Sequence, residues 1–185
     1  MRHRHPNRWK GFVLGAVGGI AGVLAMRSYW KAVAVLVGDD PRKQSDKGPP
    51  DTLDSISLIG QHHEAGESTT AAIGRIAYQT IAGKPPESQE TRTLLSELVH
   101  WLLSMGMGGV YGAIRGRAAM PDVLGGLALG VGLWFFGDEL VMPLLGVAKG
   151  PTAYAPALHA YALGAHIPYG LATSATTQLL QQIVD

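Results

Sequence analysis

The chain has 185 residues, 46% of them hydrophobic, with 15 basic and 14 acidic side chains, a net charge of +1 and no cysteine. That length allows one domain or at most two. The balanced charge excludes a strongly basic nucleic-acid binder, and the missing cysteine excludes disulfides, thiolate metal sites and thiol nucleophiles.

Fifteen of the charged side chains fall between Asp39 and Arg92, which leaves long stretches elsewhere almost free of charge, as in a chain that crosses a bilayer. A spanning helix needs roughly 20 apolar residues to cross about 30 Å of hydrocarbon, and four stretches meet that length. The first, 11–37, opens with GFVLGAVGGIAGVLAM and meets no charge before Arg27 and Lys31. A basic tail, 1–10, precedes it. A secretory signal peptide would begin in the same way, but apolar residues run on through Val37, past the weak cleavage pattern at Val23, Leu24 and Ala25, so a retained helix is expected.

Residues 39–66 are rich in Pro, Gly, Asp and Ser and predict an irregular loop with one short turn, in which His62, His63 and Glu64 read as solvated. Between 68 and 82 the apolar positions Ala72, Ile73, Ile76, Ala77, Thr80 and Ile81 predict an amphipathic helix on the membrane surface, ended by Gly83 and Pro85. A helical start near Pro86, with Glu87 and Glu90 in its first turn, leads into the second span, 94–116. Pro121 and Asp122 open the third, 122–147, which Gly146 and the Gly150-Pro151 pair close, and Pro156 opens the fourth, 156–180. The expected fold class is therefore all-α: a polytopic membrane protein of four transmembrane helices, with an extramembrane loop and one amphipathic interfacial helix within 39–93.

Basic residues in short loops mark the cytoplasmic side. Arg2, Arg4, Arg8 and Lys10 precede the first span, while Arg115 and Arg117 lie between the second and third, so both termini are expected in the cytoplasm and 39–93 outside. His3, His5, Trp9 and Trp30 fit the two interfaces.

Lipid gives helices no hydrophobic reason to associate, so close approach over small residues must hold the spans together. Gly15 with Gly19, and Gly18 with Gly22, give small-xxx-small pairs in the first span; Gly108, Gly112 and Gly116 do so in the second and Gly126 with Gly130 in the third, and Ala160, Gly164 and Ala165 offer small residues in the fourth.

Ionisable groups inside a bilayer require partners. At 1.5 Å per residue Arg27, His100 and Asp138 each come out about 24 Å from the inner end of their span, with His166 near 21 Å and His159 near 30 Å. One polar network of Arg27, Glu97, His100, Asp138, Glu139, His159 and His166 is the expectation, with Arg27 paired to Asp138 or Glu139. The spacing of His159 and His166 puts both on one face, and Glu97 and His100 likewise share one, whereas the neighbours Asp138 and Glu139 point about 100° apart. The network reads either as structural, fixing helix register, or as a site for a proton, a metal or a haem. No cofactor is predicted; a metal, if one binds, would take His100, Glu139 and His166. Glu97 and His100 form only half of a di-metal carboxylate motif. The glycine-rich runs make no phosphate loop, and no hydrolase or metalloprotease motif occurs.

The segments HWLLSMGMGGVYGAIRG, WFFGDELVMPLLG and HAYALGAHIPYG, following a glycine-rich first helix, resemble the YagU-like family of bacterial inner-membrane proteins over most of the chain outside 39–66. The resemblance implies a small multi-pass protein of the inner membrane and marks His100, Asp138, Glu139, Pro143, His159, His166 and Gly170 as family-type positions. It implies no reaction. The function expected is a non-catalytic accessory or scaffold subunit of a larger membrane complex, with lipid and other membrane subunits or a second copy as partners; the alternative is a buried His/carboxylate site that handles protons or binds a metal. Solute transport is weaker, because four helices enclose little pore and no inverted repeat is evident.

Overall fold

The computed structural model describes residues 7–42, 51–115 and 122–184; the readings placed on Arg2, His3, Arg4, His5, Gly116, Arg117 and Pro121 lie outside them. The described residues are helical with no strand: α1 (Arg8–Val37), α2 (Thr69–Ala82), α3 (Gln89–Ile114), α4 (Val123–Gly132), a π-helix (Leu133–Val141) running on into α5 (Met142–Leu144), and α6 (Pro156–Val184). One-turn 3-10 helices occupy Thr52–Ser55 and Pro151–Ala153. Among the described residues two helices are long and apolar enough to cross a membrane, Arg8–Val37 and the continuous run Val123–Leu144. At 26 and 29 residues α3 and α6 have the length, about 39 and 44 Å, but carry more polar side chains.

Local chemistry accounts for most boundaries. The Asn7 side chain accepts from Lys10 N and starts α1. Ser68 caps α2 by accepting from Ala71 N, and Gly83 ends it in the left-handed conformation at φ 71°. The buried side of α2 is Ala72, Gly74 and Arg75, while Ile81, counted into its apolar face from spacing alone, is exposed. Position 74 requires glycine because a Cβ there would press on Leu95 of α3.

The third span is not the uniform α-helix its composition suggests. Met142 N donates to Gly137 O, five residues back, and Leu145 N returns to Val141 O, four back. Pro143, fully buried, sits where the two registers meet. In a regular α-helix its ring would collide with the carbonyl of Glu139; the wider π turn removes that clash and absorbs the missing N–H.

The residues form two compact units. The first comprises 1–33, 103–131 and 163–185. Here α1 and α3 run antiparallel with backbones in contact: an added Cβ on Gly11 would strike Gly112, on Gly15 Gly108, and on Gly19 Ser104. A neighbouring stripe of α1 meets α6, where Gly18 faces Thr173 and Thr177 and Gly22 faces Thr173 and the Tyr169 ring. Gly126 and Gly130 of α4 lie equally close to α6, at Gly170 and at the His166 carbonyl. Gly164 lies against the Tyr29 hydroxyl. The second unit, 34–102 and 132–162, is held by polar bonds from the loop residues, described below.

These contacts separate Gly106 from the other glycines of α1 and α3. Gly106 has nothing within 4 Å of the place a Cβ would occupy. Gly106→Ala should therefore raise the thermal unfolding temperature in detergent, gaining about 0.5–1 kcal/mol of helix propensity. Gly15→Leu, at a backbone crossing, should lower that temperature, with a loss of about 1–3 kcal/mol or more.

Candidate functional site

In the second unit the polar residues organise around one turn. Asp51 and Asp54 form a reciprocal cap on the 3-10 helix that follows Asp51, and both then reach the Pro151–Ala153 turn. Asp54 Oδ1 accepts from Gly150 N at 3.1 Å, and Asp51 Oδ2 accepts from Thr152 N at 2.8 Å and from the Thr152 hydroxyl. The Thr152 hydroxyl bond, acting with the other donors, holds the Asp51 carboxyl down to about 2 despite some desolvation. Gly146, left-handed at φ 80°, closes α5 where a side chain would run into Gln61 and Ser57, and its carbonyl accepts from both the backbone N and the Nδ1 of His63.

On the other side of this turn stands His159. Its Nε2 lies 2.9 Å from Pro151 O and its Nδ1 2.6 Å from Glu139 Oε1, so the imidazole bridges the 3-10 turn and the π-helix. Both side chains are largely shielded. The Tyr154 ring meets His159 edge-on at 6.1 Å. Of the seven residues expected in one network, Glu139 and His159 are joined by a direct bond.

Arg27 on α1 and His166 on α6 belong to the first unit and are half-buried. Glu97, His100 and Asp138 belong to the second, with Glu97 and Asp138 exposed and His100 half-buried. Each of these five has a bonding partner. Glu97 lines an open cleft of about 380 Å³ with Glu64, Glu67, Ser68, Arg92 and Ser96. Among the described residues no three His, Asp or Glu side chains are grouped closely enough to hold a metal, the trio His100, Glu139 and His166 included.

Two polar clusters lie outside the sequence expectation. Arg75 on α2 is buried, and its guanidinium donates to both Glu67 oxygens and to His62 O at 2.7 Å. Burial raises the Glu67 carboxyl, but the Arg75 bonds outweigh it and leave the group below its ordinary value. In the first unit the Tyr111 hydroxyl lies 3.1 Å from Asp122 Oδ2 and 2.7 Å from Ser174 Oγ, Gln178 Oε1 accepts from Asp122 N at 3.0 Å, and Arg115 pairs with Asp122. The Ser174 and Gln178 spacing, four apart on one face of α6, is the sequence signal for the second cluster. For the first, the signal is Arg75 interrupting an apolar face.

No family model matches the chain, and neither a curated protein nor a solved structure does.

Replacing Arg75 by Met strands the Glu67 carboxylate and should cost roughly 3 kcal/mol in denaturant unfolding. Because Asp51 titrates lower in the folded chain than in the unfolded one, its contribution is complete above its ordinary value of 3.8 and is lost as the pH falls through about 2. Hydrogen exchange at the Thr152 amide should accelerate, relative to its intrinsic rate, over that window, and Asp51→Asn should remove the pH dependence.

Proposed function

We propose that the chain is a small integral membrane protein that crosses the bacterial inner membrane four times, with both termini cytoplasmic, and serves as a non-catalytic accessory or scaffold subunit of a larger membrane complex. The YagU-like resemblance belongs to the same reading. The observation that carries it is the inversion of polarity in the first unit. Ser104, Thr173, Ser174, Thr177, Gln178 and Gln181 are buried, while Ile114 and Leu124 stand 75% and 79% exposed and Val13, Val17, Val131 and Ile183 also face outward. A fold solvated by water places such residues the other way round. Hydroxyl and amide groups turned inward, with Val, Leu and Ile outward, suit a solvent of hydrocarbon chains.

In α6 Thr173, Ser174, Thr177, Gln178 and Gln181 lower the mean hydropathy and are buried, while the outward Leu179 and Ile183 are apolar; in α3 Leu98, Leu102, Met107 and Val110 face outward and Ser104 inward. The four-span reading rests on that.

Support for a partner comes from glycines that the chain itself does not use. Gly106, Gly132 and Gly137 have no atoms near where a Cβ would stand, although glycine inside a helix costs about 1 kcal/mol relative to alanine. Gly106 lies between the exposed Leu102 and Val110, a surface on which a second helix can approach closely.

The cysteine-free sequence makes topology directly measurable. In intact cells a membrane-impermeant thiol reagent should label Lys84→Cys and spare Val184→Cys. Native mass measurement after mild extraction should give an assembly well above 19.5 kDa that Gly106→Leu disrupts while the chain stays folded; a monomer of unchanged size in both would refute the accessory role.

A further inference from the structure

The bonds of His159 fix how many protons it shares with Glu139. Pro151 O is a carbonyl and can only accept, so His159 Nε2 carries a hydrogen and donates it. The tautomer is thereby assigned by the partner. Nδ1 then faces Glu139 Oε1 at 2.6 Å, a distance that requires a hydrogen between them. If Glu139 is ionised, that hydrogen is on Nδ1 and the ring is an imidazolium; if Glu139 is protonated, its hydroxyl donates to a neutral ring. Either way the pair as a whole holds one proton and is electrically neutral.

We infer that Glu139 and His159 form a one-proton site whose occupancy latches the π-helix to the Pro151–Ala153 turn. Removal of that proton to solvent leaves one carboxylate, one neutral imidazole and a single ring N–H for two acceptors. His159 can keep Pro151 and present a lone pair to the Glu139 carboxylate, or change tautomer, keep Glu139 and release Pro151. One of the two bonds must break. The latch is closed while the pair holds its proton and opens when rising pH removes it.

The neighbourhood amplifies the consequence. The same 3-10 turn is gripped by Asp51 and Asp54 through Thr152 and Gly150, so a turn released by His159 remains attached to the loop and can move with it. Glu139 lies in the stretch of wide turns that precedes Pro143, and such turns are frequent at functional sites. Other titratable groups on the elements that meet at the pair are Asp138 beside Glu139, Lys149 before the turn, Tyr154 against the His159 ring, Tyr161 further along α6, and Asp51 and Asp54. Asp138, Lys149 and Tyr154 are engaged with partners of their own, and the two aspartates with the turn.

The latch is independent of whether the chain has a partner subunit, so its failure would leave the accessory role standing. The test uses the full chain in lipid nanodiscs, with a nitroxide on Ala155→Cys, the residue between the turn and α6, as the single label in a cysteine-free background. In the otherwise native chain the label should pass from immobile to mobile as the pH rises. Glu139→Gln is the decisive variant, because its amide can donate to Nδ1 as well as accept from it, so both bonds survive without the shared proton; its label should stay immobile throughout. Glu139→Leu should be mobile at every pH. Nitrogen-15 spectra of labelled histidine, with His159→Gln to assign the signal, should show the His159 ring changing its hydrogens over the same pH range in which the native label becomes mobile. A label that does not respond to pH while the His159 signal titrates, or a Glu139→Gln protein that loosens as the native chain does, would overturn the inference. Should Glu139→Leu not fold, the native and Glu139→Gln curves decide alone.

Discussion

The first unit depends on backbone meeting backbone. Where Gly15 crosses Gly108 and Gly11 crosses Gly112, the absence of a side chain lets α1 and α3 approach until carbonyl oxygens lie where a Cβ would otherwise be. Dispersion and weak Cα–H to carbonyl contacts are short-ranged, so only this approach makes them count. Once α1 is fixed, a neighbouring stripe presents Gly18 and Gly22 to the hydroxyls of α6, and α6 presents Gly170 to α4. The interior is therefore rich in glycine, serine and threonine, with Val23, Tyr111 and Tyr169 as its larger buried side chains.

The second unit is held by different means. Its loop contributes few buried apolar side chains, and carboxylates do the joining: Asp51 and Asp54 to the Pro151–Ala153 turn, Glu67 to Arg75, Glu139 to His159. Such bonds are directional and each fixes a position that apolar packing would leave soft. They are also conditional on protonation. A unit assembled this way responds to pH at defined joints, and the joint with a single proton for two bonds is the one at which that response changes connectivity and does not merely weaken a contact.

Pro143 links the backbone and the chemistry. By forcing a wide turn before it, it changes the phase of Asp138 and Glu139 relative to the rest of the helix, so that inference from 100° per residue does not locate these carboxylates. Glu139 meets His159, twenty residues on in the chain, because the 3-10 turn returns the start of α6 to the π segment.

By itself the sequence determined most of the helices, and it did so through local physics: apolar length, helical period, and Gly83 and Gly146 as the positions that end helices. It also determined that glycines repeat at helical spacing, since period is a property of the chain alone. Tertiary structure decided what the period cannot carry. Which glycine meets which, and that Gly106 meets none, depends on the crossing of two helices distant in sequence. That Arg75 is buried depends on a Glu67 carboxylate folded back across α2, and the partner of Glu139 depends on a turn gripped by residues about a hundred positions earlier in the chain. Ionisable groups reveal their need for a partner in the sequence; only the folded chain supplies its direction and distance, because an electrostatic bond is won or lost over an ångström or two.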